Sequence, residues 1–411
     1  MTVHLEKSEH PRFDVAEIIR KHIGEYKRTH RLSYEQSKAV SAIINCRTPA
    51  MGGVLKLCSN SECKKWEFHY KACKNRHCPL CGAFEKAQWL EAQKKWILPI
   101  PYYHVVFTID HVFNPLVAFN QKLLYDLLIR IAAQLLKEFG QKYLGGEIGF
   151  SMVLHTWGQT IQEHPHLHFI VTGGALVSSP MGYRWQAASR EYLFPATLLS
   201  NLFRNRFCFE LSKLWAEGEL NTHDGALDVA DMVKQALSKD WEVYIKKPLY
   251  DKEKLIEYLA RYIFRIAISN HRILAVGKDT VTFKYFDNQD DGKEKVMTLS
   301  AMEFIRRFLS HVLPDGFVRV RHFGLHNAAC RAKLQQARHV LGLPFELPVI
   351  FKLKFLDWFK QITGSEEDPR LCKFCGKGLM LPIREFGPVH GWRLKLISYL
   401  EVFASWRNAF A

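Results

Sequence analysis

No stretch of this sequence is long and apolar enough to cross a membrane as a helix. The most apolar helix-like segment, Leu116 to Phe139, is interrupted by Asp126, Arg130 and Lys137, whereas a spanning helix needs about 20 predominantly apolar residues. The opening residues, MTVHLEKSEHPRFDV, have no apolar core of secretory-signal length. The expected location is therefore the cytoplasm. Nothing resembles a nucleotide-binding P-loop or a helicase, so no nucleotide cofactor is expected. There is no internal repeat and no low-complexity segment. Acidic residues are in deficit, 41 against 57 lysines and arginines. That imbalance disfavours a basic partner and suits a polyanion, nucleic acid before any other.

The 411 residues are 48% hydrophobic and 13% aromatic, enough for two or three well-filled domains. Residues 12–50 read as helical, with Val15, Ile18, Ile19 and Ile23 in one stripe. Then comes LCSNSECKKWEFHYKACKNRHCPLCG, from Leu57 to Gly82. Cysteines without a secretion signal point to metal ligation rather than disulfides. Two close pairs suit a tetrahedral zinc site, with Cys58, Cys63, Cys78 and Cys81 as the expected ligands and Cys73 and His77 as alternates. Lys64, Lys65, Lys71, Lys74 and Arg76 alternate with Trp66, Phe68 and Tyr70 there. Such a surface suits phosphate contact or base stacking, and docking of the N-terminal helices is the competing role. Near the other end, Cys372-Lys-Phe-Cys375-Gly is half of a second knuckle. No further cysteine pair follows it, only His390, so a complete second zinc site is not expected.

A helix from Phe84 to Ile97 ends at Pro99 and Pro101, which mark a domain boundary. Beyond it, Tyr102–Ile109 reads as a strand, residues 115–139 as a long amphipathic helix, and Gly149–Trp157 as a second strand. After a polar turn at 158–163 a third strand carries His164-Pro-His166-Leu-His168. This order suits an antiparallel sheet with helices on one face, an α+β fold. Residues 176–238 read as mixed and mostly helical, an insertion or a long connection, and Trp241–Lys246 as a further strand. The expected division is residues 1–98 for the helices and zinc knuckle, 99–275 for the sheet domain, and 276–411 for a basic region. In the last, Arg319 and Arg321 are the foremost candidate phosphate contacts, with His322, Arg331, Lys333 and Arg338.

His166 and His168 are two apart on a strand and so share one face, where they can hold a metal ion together. Residues 252–268 read as a helix with two faces. Ile256, Leu259, Ala260, Ile263 and Ala267 cover one; Tyr258, Arg261, Tyr262 and Arg265 lie on the other. Together the two constellations suggest phosphoryl transfer. A divalent metal polarises a scissile phosphate. A tyrosine, favoured as phenolate by the metal and by Arg261 or Arg265, attacks phosphorus. The resulting phosphotyrosine conserves the bond energy, and a second tyrosine permits rejoining.

These residues resemble the two-tyrosine, rolling-circle transposases of insertion sequences (insertion sequence ninety-one type), within the His-hydrophobic-His nucleases. The resemblance rests on CKNRHCPLCG, on HTWGQTIQEHPHLHFIVTGG at 155–174, on YLARY at 258–262, and on FIRRFLSHVLPDGFVRVRHFG at 304–324. It implies an antiparallel-sheet nuclease domain in a nucleoid-associated bacterial protein. His166 and His168 would be ligands of Mg²⁺ or Mn²⁺, and Tyr258 and Tyr262 nucleophiles forming a 5′-phosphotyrosine. A third ligand is also implied: Gln159 first, then His164 and His155. The implied partners are single-stranded DNA at element ends, target DNA and host replication proteins. Two other functions fit the same residues: a metal-dependent phosphodiesterase without a covalent intermediate, and a non-catalytic zinc-containing DNA-binding protein.

Overall fold

A computed structural model of the chain describes residues 13–189, 192–251, 255, 266–287 and 290–388. Its contacts sort into two units. One comprises Met1–Gln88, Ile268–Arg306 and Leu353–Ala411; the other comprises Trp89–Ala267 and Arg307–Lys352. These units differ in extent from the three expected parts. The first boundary falls near Gln88 rather than residue 98, and residues 276–411 are shared between the units instead of forming a domain. The cause is strand pairing between distant parts of the chain, which composition does not record.

The first unit opens with helices α1 (Val15–Thr29) and α2 (Tyr34–Asn45). Asp14 caps α1 by accepting the Glu17 N–H, and Ser33 with Gln36 forms a capping box on α2. Strands β1 (Gly53–Cys58) and β2 (Trp66–Tyr70) follow, and then helix α3 (Ala83–Gln93). Further along the chain lie β9 (Ile273–Val276), β10 (Thr280–Asp287) and β11 (Lys293–Ser300), an antiparallel sheet. The unit ends with β13 (Met380–Phe386), which pairs with β1 in a sheet ordered β13-β1-β2. Ile18, Ile19, Ile43, Phe283 and Phe304 are fully buried. The Val15 N–H donates to the Asn270 side chain at 3.1 Å, joining α1 to the turn before β9.

The second unit is built on a five-stranded sheet. Its strands are β3 (Tyr102–Thr108), β4 (Gly149–Trp157), β5 (Glu163–Thr172), β8 (Val243–Ile245) and β12 (Val320–Gly324). Their order is β12-β4-β5-β3-β8, with every neighbour antiparallel. With the helices, this makes the fold α+β, as expected. Period-two alternation gives the sheet two chemically distinct faces. Tyr103, Val105 and Phe107 of β3, Phe150, Met152 and Leu154 of β4, and Leu167, Phe169 and Val171 of β5 share the apolar face. Two helices cover it, α5 (Gln121–Leu144) and α6 (Ala196–Ala216). Leu124, Leu128, Ile131 and Leu135 of α5 and Phe203 and Phe207 of α6 belong to the same core. Each fully buried side chain of this size contributes about 1.5–3 kcal/mol.

The long helix expected from residue 115 breaks at Asn120 into α4 (Asn114–Phe119) and α5. There the Asn120 amide donates to Leu116 O and Asn221 O. Gly145 ends α5 at φ 68°, a left-handed conformation that glycine adopts without strain. The stretch 176–238, expected as a mostly helical insertion or long connection, joins β5 to β8. It holds a hairpin, β6 (Gly174–Ser179) with β7 (Gly182–Ala187), then α6 and α7 (Val229–Leu237). Helix α6 is core structure. Its mixed composition has a physical reason: it buries Phe203 and Phe207 while its rim carries ion pairs to α5, Arg206 with Glu138 at 2.7 Å and Glu210 with Arg130 at 3.0 Å. Among the described residues no helix is long and apolar enough to span a membrane.

Candidate metal and nucleic-acid site

The second face of the five-stranded sheet is a histidine face. His166 and His168 on β5 alternate with the buried Leu167 and Phe169 and so point away from the core. Antiparallel register sets His155 of β4 directly opposite His166, and Val153 opposite His168. Ligand atoms of His155, His166 and His168 all lie within 4.8 Å of one another. His155 is buried.

Pro165 sits where the ladder changes. Pairing of β3 with β5 ends at Thr108–His166, and the β4–β5 register shifts between His155 and Trp157. A proline lacks an N–H for the ladder and is tolerated at such an irregularity. The shift turns His164 toward His111, with ring nitrogens 2.6 Å apart. Burial, then the neighbouring His166 and His111, hold His164 down to about 3.

Two contacts orient the paired imidazoles. His166 Nδ1 lies 2.6 Å from His164 O. A carbonyl only accepts, so Nδ1 carries the proton and Nε2 the lone pair that a metal requires. His168 Nδ1 lies 2.9 Å from Nε2 of His104, a buried residue of β3. Burial, reinforced by the charges of Lys246 and His166, pushes His104 down to about 3, so it is neutral. Where His168 Nδ1 is the donor of this bond, its Nε2 is left free to face a metal. Three imidazoles held this way fit a divalent ion by their donor chemistry.

Gln159, the first-ranked third ligand from sequence, lies in the tight β4–β5 turn, where Gly158 N–H donates to Gln162 O at 2.9 Å. His155, ranked behind it, is the residue brought to His166 by strand pairing. Trp157 stacks on His155 with ring centroids 5.0 Å apart. The Arg319 guanidinium lies 5.8 Å from the Trp157 ring, which sets a cation beside the histidine cluster. Arg321 has a different setting. On edge strand β12 it pairs with Met152, and so shares the apolar side, where it forms an ion pair with Asp126 and lies over Phe317.

Tyr258, Tyr262, Arg261 and Arg265 lie outside the described residues. Leu255, three positions before Tyr258, is described. It is buried in a cluster with Tyr102, Val153 and Ile170, all on the histidine side of the sheet.

The cysteines of the first unit group differently from the single site expected. Cys78 and Cys81 converge with Cys46 and Cys73, and Cys58 and Cys63 converge with Cys372 and Cys375, each set within 4.8 Å. Cys46 ends α2 and Cys73 follows β2, and their sulfurs lie 3.4 and 3.7 Å from Cys81 Sγ. Sequence spacing missed Cys46 because it lies well before Cys73, with β1 and β2 folded between them. His77 belongs to neither cysteine group.

Comparison with known proteins places the chain in a family. Residues 18–109 match a family described as "Transposase zinc-binding domain", of the insertion sequence ninety-one type, and residues 149–333 match one described as "Putative transposase". The second match includes the histidine strands and positions 258 and 262. The chain is 37% identical over 390 residues to a protein named "Putative transposase y4qJ" from Sinorhizobium fredii, covering 92% of this chain and 96% of that relative. It is 28% identical over 346 residues to the "Transposase for insertion sequence element IS801" of Pseudomonas savastanoi pv. phaseolicola, covering 82% and 81%. No solved structure matches. The chain belongs to the insertion-sequence transposases of the insertion sequence ninety-one type, with a zinc-binding domain at its N-terminal side.

Proposed function

We propose that this transposase nicks and rejoins single-stranded DNA through a 5′-phosphotyrosine intermediate and so drives rolling-circle transposition. The observation that carries the reading is the convergence of His155, His166 and His168 on the sheet face opposite the core. His155 takes the role of third ligand in place of Gln159. A Mg²⁺ or Mn²⁺ ion bound by these three residues would polarise the scissile phosphate and offset the charge that develops on its oxygens.

The chain's own groups do the remaining work. Tyr258 and Tyr262, which follow the buried Leu255 in the chain, would supply the nucleophile. The tyrosine hydroxyl attacks phosphorus and loses its proton; the P–O3′ bond breaks, and the departing 3′ oxygen gains a proton. Arg261 and Arg265 favour the phenolate and neutralise the backbone, and Arg319 steadies the strand beside Trp157. Attack by a 3′-hydroxyl on the phosphotyrosine reverses these bond changes and joins the strand to target DNA. Host replication proteins would extend that 3′ end.

The test is a denaturing gel with labelled single-stranded DNA carrying the element ends, with Mn²⁺ or with chelator. Wild type is expected to give a metal-dependent, covalently shifted band. Tyr258→Phe and Tyr262→Phe singly reduce it, and the double variant abolishes it. Cleavage without any adduct would make the protein a hydrolytic phosphodiesterase. Adduct retained in the double variant would move the nucleophile elsewhere.

A further inference from the structure

Cys372 and Cys375 lie far outside the zinc-binding match at residues 18–109. They nevertheless meet two cysteines of that region. Cys58 Sγ is 3.7 Å from Cys375 Sγ, and Cys63 Sγ is 3.8 Å from Cys372 Sγ. A disulfide requires about 2.05 Å. The edge of a zinc–thiolate tetrahedron with bonds of about 2.3 Å is about 3.8 Å, which is the spacing found here.

The backbone around these sulfurs is arranged for thiolates. The Asn60 N–H donates to Cys58 Sγ at 3.4 Å, and the Gly378 N–H donates to Cys375 Sγ at 3.5 Å. Gly376 has φ 65°, the left-handed turn that brings the chain back over the cysteines. A methyl group at Gly378 would overlap Cys58 Sγ. Apolar packing here is too sparse to hold the arrangement. Among the described residues the local buried cluster contains only Cys58, Cys372 and Met380, flanked by Cys63 and Cys375, while Leu381 and Ile383 of β13 are exposed. A small knuckle of this kind takes its folding energy from metal.

We propose that Cys58, Cys63, Cys372 and Cys375 bind a second structural zinc ion, separate from the one held by Cys46, Cys73, Cys78 and Cys81. The site is a clasp. It fixes the Cys372–Cys375 knuckle to the end of β1 and holds β13 in register beside β1, where Cys58 pairs with Met380. The zinc-binding unit is thus closed by a segment contributed more than 300 residues later in the sequence.

The experiment is metal analysis with native mass spectrometry on the full-length protein. Wild type is expected to carry two zinc ions per chain. Cys372→Ser with Cys375→Ser, and separately Cys73→Ser with Cys78→Ser, are each expected to carry one. Two zinc ions retained in the Cys372/Cys375 variant would overturn the proposal, as would one in wild type. Cobalt titration of the metal-stripped wild-type chain removes any dependence on variant folding. Thiolate-to-cobalt charge transfer should saturate at two equivalents, and saturation at one would count against the clasp. Neither measurement involves DNA cleavage, so failure here leaves the nicking reading untouched.

Discussion

The imidazole of buried His104 meets that of His168 across the β3–β5 pair, nitrogen to nitrogen at 2.9 Å. A candidate metal ligand is thereby bonded to a neighbour that burial keeps neutral. With His168 as a metal ligand, His104 would be a positioning residue acting through it. His104→Ala should weaken Mn²⁺ binding by about 10- to 100-fold, measured by calorimetry. Nicking should recover at saturating metal, and His104→Gln should recover more of the affinity because its amide can still bond to His168. A nicking defect with unchanged metal affinity would remove this role.

His155 and Gln159 make opposite predictions. With His155 as third ligand, His155→Ala abolishes Mn²⁺ binding and metal-dependent nicking, while Gln159→Ala retains both. Circular dichroism should remain native for each. The reverse pattern would return the ligand role to the turn.

The two arginines of the 319–321 segment separate in the same way. Arg319→Ala should lower affinity for single-stranded DNA and reduce the salt-dependence slope by about one. Arg321→Ala should leave binding unchanged, because its guanidinium is committed to Asp126 on the other side of the sheet. Fluorescence anisotropy at several salt concentrations distinguishes them. Its effect on stability should stay below about 1 kcal/mol, as for partly exposed ion pairs generally.

Phe169 lies directly behind the histidines, fully buried between Phe107 and Phe150 with ring centroids 5.5 and 5.7 Å away. Phe169→Ala should cost about 3–5 kcal/mol through lost burial and the cavity it leaves. Denaturant unfolding measures this loss. Because Phe169 adjoins His168 in the chain, Mn²⁺ affinity should fall with it.

Much of the sheet was legible because strand periodicity is local. Gly149–Trp157 coincides with its expected span, and Tyr102–Thr108 differs by one residue. His166 and His168 share a face for the same reason, and the family motifs are short linear strings. The α5–α6 core was less legible. A helix that buries aromatics on one side and carries ion pairs on its rim has no clean apolar stripe, so α6 read as part of an insertion.

Local chemistry along the chain therefore specified the strands, the His-x-His pair and the presence of cysteine knuckles. Three-dimensional pairing decided the rest. His155 joins His166 only through the antiparallel register of β4 and β5. Arg321 turns away from the histidines because its partner in the ladder is Met152. Cys58 and Cys63 meet Cys372 and Cys375, not Cys78 and Cys81, because β13 adds to β1. Linear spacing groups neighbours in the chain, whereas ligand sets are closed by strands that meet only after folding.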